Sequence, residues 1–208
     1  MMSEPLVLGF DTSAAHCAAA LLCADRVVAQ HAEDMGRGQA ERLFPLLEEL
    51  LAEGGVTWRD LTALGVGTGP GNFTGIRISV AAARGLALSL GLPAVGVSAL
   101  EAAAFGLPEP VTAVVDARRE RAYVQRFPDG APGLVALADF APETAITGPG
   151  AALLSARTLP QPVPIAEAIA RIAAQRFATE TRPPAPLYIR PADAAPARDL
   201  PPVILDEA

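Results

Sequence analysis

The chain of 208 residues contains no lysine: all 16 basic residues are arginine. This excludes a Schiff-base lysine, and it excludes a Walker A loop, whose lysine reaches the nucleotide phosphates. Cysteine is nearly absent, with Cys17 and Cys23 alone. Six residues apart on one strand, at ~3.3 Å per residue, they would lie ~20 Å apart. A disulfide needs Cα atoms within ~7 Å, so both read as free thiols acting as small hydrophobes. Histidine is limited to His16 and His31. With no HExxH or CxxC spacing, no metal site is expected, and neither histidine has a readable catalytic partner. Although 51% of residues are hydrophobic, no run approaches the ~20 apolar residues of a membrane helix. The start, Met1-Met2-Ser3-Glu4-Pro5, lacks the basic region of a signal peptide, so a soluble cytoplasmic protein is expected. A net charge of −7 without a basic stripe makes the chain a poor holder of nucleic acid by itself.

What is abundant is glycine in one place. Residues Ala63 to Val66 form an apolar run that feeds Gly67, Gly69, Gly71 and Gly75, with Pro70 between them, and an alanine-rich segment runs on to Leu90. Strand, glycine loop and helix N-terminus together have the form of an anion cradle, although a tight strand-to-helix connection has the same pattern.

Taken in order, Leu6–Phe10 is a buried strand ending at Asp11, followed by the acceptor-rich turn Asp11-Thr12-Ser13 and by a hairpin, Cys17–Leu22 and Val27–Gln30. Leu43, Leu46, Leu47, Leu50 and Leu51 make one helical stripe, with Pro45 either kinking or starting the helix and Gly54-Gly55 ending it. After the glycine loop, Ile76, Val80, Ala83, Ala87 and Leu90 share one helix side. A short strand, Ala94–Val97, precedes a capping box of Ser98 and Glu101, whose helix ends near Phe105.

Pro108–Pro110 divides the chain into an N-terminal α/β lobe, 1–107, and a smaller C-terminal one, 108–208, with a proline-rich tail. The second part again offers an apolar strand, Val111–Val115, ending in an aspartate, Asp116. A turn, 117–121, and a strand, Ala122–Phe127, follow, and Pro128-Asp129-Gly130 closes the hairpin. Thr147-Gly148-Pro149-Gly150 then repeats Thr68-Gly69-Pro70-Gly71. The same order in both halves reads as a duplicated α/β unit whose second copy is shortened and lacks the leucine-striped helix. A closing helix is expected over Ile165–Phe177, and Leu187–Arg190 either adds an edge strand or lies across the surface.

A duplicated strand, aspartate and hairpin with glycine loops resembles the actin, sugar kinase and Hsp70 superfamily. The resemblance implies a two-lobed fold whose two aspartates, here Asp11 and Asp116, face Mg-ATP, with adjacent glycines admitting the phosphates. Here Thr12-Ser13 and Ala117-Arg118-Arg119 stand where those glycines belong, and a Cβ there obstructs a phosphate. The cleft formed by Asp11, Thr12, Ser13, Gly69, Gly71, Gly75, Asp116 and Arg118 is therefore expected to be vestigial, with no nucleotide bound by this chain alone.

More narrowly, Gly69-Pro70-Gly71-Asn72-Phe73-Thr74-Gly75-Ile76-Arg77, with Asp11-Thr12-Ser13, Asp116-Ala117-Arg118-Arg119 and Pro186-Leu187-Tyr188-Ile189-Arg190, resembles the TsaB (YeaZ) family. Asn72 stands where that family usually has Ser, and Gln39-Ala40-Glu41 where many relatives have His-Ser-Glu. The resemblance implies a non-catalytic scaffold subunit of the bacterial tRNA threonylcarbamoyladenosine synthase. Such a subunit docks on a catalytic TsaD-type protein through its two N-terminal helices. A TsaE-type ATPase joins the pair, ATP and Mg²⁺ belong to the complex, and tRNA is reached only through it. The residues expected to meet the partner are Leu43, Leu47 and Leu50 with Ile76, Val80, Ala83 and Ala87, and a charge at Ala83 or Ala87 is expected to abolish docking. Which helix face points outward stays open. Without a partner the same patch suits a homodimer. An autonomous ATP-dependent phosphotransferase is the alternative reading; a protease or chaperone-like factor is a further one.

Overall fold

The computed structural model describes residues 4–189. Strands β1 (Leu6–Asp11), β2 (His16–Cys23) and β3 (Arg26–Asp34) open the chain as an antiparallel run. Helix α1 (Gln39–Glu53), strand β4 (Ala63–Gly67), helix α2 (Phe73–Leu90), strand β5 (Ala94–Val97) and helix α3 (Ala99–Ala104) follow. The five strands pair in the order β3-β2-β1-β4-β5, with β4 parallel to both β1 and β5. A second sheet holds β6 (Val111–Arg118), β7 (Arg121–Phe127), β8 (Gly133–Ala136) and β9 (Ala145–Thr147) in the order β8-β7-β6-β9. Its pairs are antiparallel except for β6 with β9. Strand order and sense in this sheet match those of the first without its last strand. Helix α4 (Ile165–Arg176) is the last regular element among the described residues. The architecture is thus mixed α/β with two sheets.

The layers follow from strand alternation. Leu6, Leu8 and Phe10 point to one face of the first sheet, where they meet Leu43, Leu46, Leu47, Leu50 and Leu51 of α1. A fully buried leucine contributes about 2 kcal/mol, so this stripe is a main attachment of α1. Val7, with Val95 and Val97, points to the other face, against Ile169, Ile172 and Ala173 of α4. Gly9 and Gly65 lie directly under α4. A Cβ on Gly9 would stand 2.7 Å from Ala166 O and Ala170 N, and one on Gly65 would stand 2.8 Å from Ala173 Cβ. The chain crosses over between its sheets: α3, from the first half, packs on β6, while α4, from the second, packs on β1 and β4.

Several boundaries differ from the sequence reading. Helix α1 begins at Gln39 behind Gly38, whose φ is +86°, so Pro45 lies inside it rather than at its start. Helix α2 begins at Phe73 because Asn72 supplies its cap. Strands β6 and β7 reach Arg118 and Arg121, leaving only two residues in the expected five-residue turn. Strand β8 was not expected; four half-buried residues after a proline give little periodic signal. Leu187–Ile189 form no strand and lie across the surface, while Arg190 falls outside the described residues. Among the described residues α2 is the one helix long and apolar enough to cross a membrane, with a mean hydropathy of 1.2 over 18 residues. It packs on the sheet by one side, where Ile76, Val80 and Ala83 are buried, and 28% of it is buried in all.

Candidate functional site

The parallel neighbours β1 and β4 bring their C-terminal ends together, placing turn 11–13 beside the glycine loop 67–75. Asp11 is fully buried. Its Oδ2 accepts from Ser13 N at 3.1 Å and Ser13 Oγ at 3.0 Å and lies 2.6 Å from His16 Nε2. Its Oδ1 has no hydrogen-bond partner and abuts Gly67, where a Cβ would strike the carboxylate. Thr12 Oγ1 donates to Gly75 O at 2.7 Å, and Asn72 N donates to Ser13 O at 2.6 Å.

The loop glycines therefore have a use that needs no ligand. A Cβ on Gly71 would run into Ser13 O, and one on Gly75 into Thr12 O. The Cα faces of Gly71 and Gly75 are packed against the backbone of the first turn. Gly69, with φ +87°, turns its carbonyl to accept from Ala99 N at 2.7 Å. Asn72 Oδ1 accepts from Thr74 N and Gly75 N, both at 3.0 Å, so it caps α2 as a serine would.

Asp116 is in a different situation. It is exposed, and its Oδ1 accepts from Arg118 N at 2.6 Å. Among the described residues no hydrogen bond or ion pair joins Asp116 or Arg118 to Asp11. A hollow of about 750 Å³ lies elsewhere, beneath Leu137, Phe140, Leu153 and Leu154, and none of the expected site residues lines it.

Both histidines do have partners, contrary to the sequence reading. His31 Nε2 lies 2.7 Å from Glu53 Oε2, and His16 pairs with Asp11. Burial opposes a charged His16, but the hydrogen bond to Asp11, with the charges of Asp11 and Asp34, outweighs it and holds the imidazole above its ordinary value. Neither partner is adjacent in sequence, so only the β1–β2 register reveals the His16 pair. The three side chains are not a nucleophile relay, because Ser13 Oγ donates to Asp11 and not to His16. Burial pushes the Cys17 thiol up to about 11, which leaves it inert.

The residues expected to face a partner point inward. Leu43, Leu47, Leu50, Ile76, Val80 and Ala83 are all buried in the core, and only Ala87 is half-buried. An apolar stripe at helical spacing is what the sheet beneath attracts, so the stripe marked the inner face. The outer faces carry Phe44 and Pro45 on α1 and Ala81, Arg84 and Leu88 on α2. Leu88 is 87% exposed. No periodicity marks these positions; exposure of single large apolar side chains is their only sign.

One further group forms at the start of α2. The Tyr188 ring stacks on Phe73 at 5.3 Å between centroids, and the Arg77 guanidinium lies 3.7 Å over the Phe73 ring. Arg77 Nε donates to the Tyr188 phenolic oxygen, Oη, at 3.0 Å, and Leu187 N donates to Thr68 O at 2.8 Å. Segment 184–189 is thereby strapped across the glycine loop, with Pro184 buried against Gly96.

Known proteins resemble this chain in sequence and in fold. The family model of the tRNA N6-adenosine threonylcarbamoyltransferase, TsaD, matches residues 27–186. An uncharacterized protein of Mycobacterium bovis is 38% identical over 167 residues, covering 77% of this chain and 79% of that one. The tRNA threonylcarbamoyladenosine biosynthesis protein TsaB of Escherichia coli is 38% identical over 122 residues. That match covers 56% of this chain and 52% of the relative, about half its length. A crystal structure from Pseudomonas aeruginosa, described as similar to peptidase YEAZ, superposes with a TM-score of 0.71 at 26% identity, over 91% of this chain and all of that one. The chain belongs to the TsaB (YeaZ) family.

Proposed function

We propose that the chain is a non-catalytic scaffold subunit in the biosynthesis of threonylcarbamoyladenosine in tRNA, acting in the cytoplasm by docking on a TsaD-type catalytic subunit. One observation carries this reading: the glycine loop is packed against the carbonyls of Thr12 and Ser13, and Asp11 is already paired with His16. A chain that retains the loop but packs its own backbone on it is suited to support a partner's chemistry. ATP and Mg²⁺ then belong to the complex, which a TsaE-type ATPase joins, and tRNA is met only there. The matching strand order of the two sheets supports a duplicated actin-like fold with a shortened second unit. The carbonyls packed on the glycine loop speak against an autonomous phosphotransferase, and the Ser13 hydroxyl donating to Asp11 rather than to His16 speaks against a peptidase.

The docking face in this reading is the outer side of α1 and α2, around Phe44, Ala81 and Leu88. Alone, the same face suits an isologous homodimer. The test is reconstitution of tRNA threonylcarbamoylation from the TsaD-type subunit and the ATPase, with and without this chain. Product formation should require the chain, and Leu88→Glu should remove both activity and co-elution with the TsaD-type subunit. Equal product without the chain sinks the reading.

A further inference from the structure

The hairpin joining β6 to β7 violates the usual chemistry of its own turn. Arg118, Arg119 and Glu120 all have positive φ, at 61°, 52° and 57°. Arg119 and Glu120 are the central pair of a two-residue turn with both residues left-handed, a geometry that favours Asn-Gly. A register shift between Asp116 and Arg118 adds the third such residue. L side chains resist this conformation, and where local rules are broken without local compensation, function is the usual reason.

The side chains kept there are cationic and unsatisfied. Arg118, Arg119 and Arg121 are exposed, and none is paired with a carboxylate among the described residues. Arg42, Arg171, Arg176 and Arg182 each are. Arg26, Arg37, Arg59, Arg84, Arg126 and Arg157 are exposed and outside any ion pair among the described residues too, but only the turn sets three such arginines within four residues. Asp116 accepts the N–H of Arg118 through Oδ1 and keeps its charge, so the turn sets three guanidinium groups against the two carboxylates of Asp116 and Glu120. No exposed large apolar side chain lies on this turn; those of the described residues are Phe44, Phe73, Leu88, Leu153 and Tyr188. A protein interface needs an apolar centre, whereas a polyanion backbone needs only guanidinium forks.

We infer that the 118–121 turn is a phosphate-backbone contact for RNA, made when the chain stands in its complex. This rests on the tRNA reading above. Two or three contacts on a chain of net charge −7 are too few to hold RNA alone, but they add to a partner's grip. The guanidinium forks engage phosphate oxygens through paired N–H donors, and they carry no sequence selectivity.

The experiment measures substrate tRNA binding by the complex of this chain with the TsaD-type subunit, over a series of salt concentrations. The comparison is between the native chain and the triple variant Arg118→Gln, Arg119→Gln, Arg121→Gln. Affinity should fall roughly tenfold or more at 0.1 M salt, and the slope of log K against log salt should drop by about 2. The triple lysine variant, which keeps the charge, should retain the slope. The double variant Arg119→Asn, Glu120→Gly should fold at least as stably and lose only about one contact. An unchanged slope in the glutamine variant overturns the inference. So does loss of co-elution with the TsaD-type subunit in the absence of tRNA, which would make the turn a protein contact. The isolated chain is titrated with the same tRNA at low salt in parallel. Should the complex prove independent of this chain, the functional reading falls, and equal binding by native and glutamine chains overturns the turn's role as well.

Discussion

Asp11 is a buried carboxylate whose charge is met from inside the protein. His16 reaches its Oδ2 from the neighbouring strand at 2.6 Å with its side chain 20% exposed, and Ser13 donates twice to the same oxygen, while Oδ1 has no partner. Removing His16 leaves that charge without its partner, and His16→Ala should cost about 3 kcal/mol in urea unfolding at pH 6. The pH dependence has a definite sign. The imidazole is held above its ordinary value in the folded protein. Its contribution is therefore complete below the unfolded value near 6.5 and is lost as pH rises through the higher folded value. The stability gap between the native chain and His16→Gln should accordingly be wider at pH 6 than at pH 9; a gap that widens with pH contradicts the pairing. Neighbouring Gly67 obeys the same geometry, since any Cβ there meets the carboxylate.

At the scale of elements, glycines and caps decide how closely helices approach strands. Helix α4 rests on Gly9 and Gly65, and Gly9→Ala would place a methyl against the helix backbone. Guanidinium unfolding should show a loss of about 2–3 kcal/mol, larger than the fraction of a kcal/mol that Ala gains over Gly by propensity. Asn72→Ala should cost about 1 kcal/mol and Asn72→Ser almost nothing, because the cap needs only an acceptor. The leucine stripe of α1, the capping box of Ser98 and Glu101, and the strand-aspartate turns were legible in the sequence, because each is a local pattern. Illegible were the face of α1 and α2 that points outward, the His16–Asp11 pair and the Tyr188–Phe73–Arg77 group. Each depends on which segments the sheet register and the crossover bring together. The inward stripe of Leu43, Leu47 and Leu50 illustrates this: helical period identified an apolar side, and the sheet claimed it.

For the molecule as a whole, charge and closure limit what it does alone. With Thr12 and Ser13 carbonyls packed on the loop, calorimetry of the isolated chain with Mg-ATP should show no micromolar binding; a clear micromolar isotherm would revive the phosphotransferase reading. Surface changes on the outer helix face should separate assembly from folding. Leu88, at 87% exposed, can carry a charge at a stability cost within about 0.5 kcal/mol. Ala83 cannot, since it is fully buried, so a charge there would damage the core before it tested any interface.

The crossover of α4 has a consequence for biosynthesis. The first sheet is fully translated at Val97, but the helix that covers its second face ends only at Arg176. At cellular elongation rates that interval is roughly 4–16 s. During it, Val7, Val95 and Val97 face solvent on a nascent chain whose glycines, Gly9 and Gly65, offer no side chain to shield them. Chains stalled or cleaved in this window should be the form that trigger-type chaperones hold and proteases remove, and the finished protein escapes both when α4 seats.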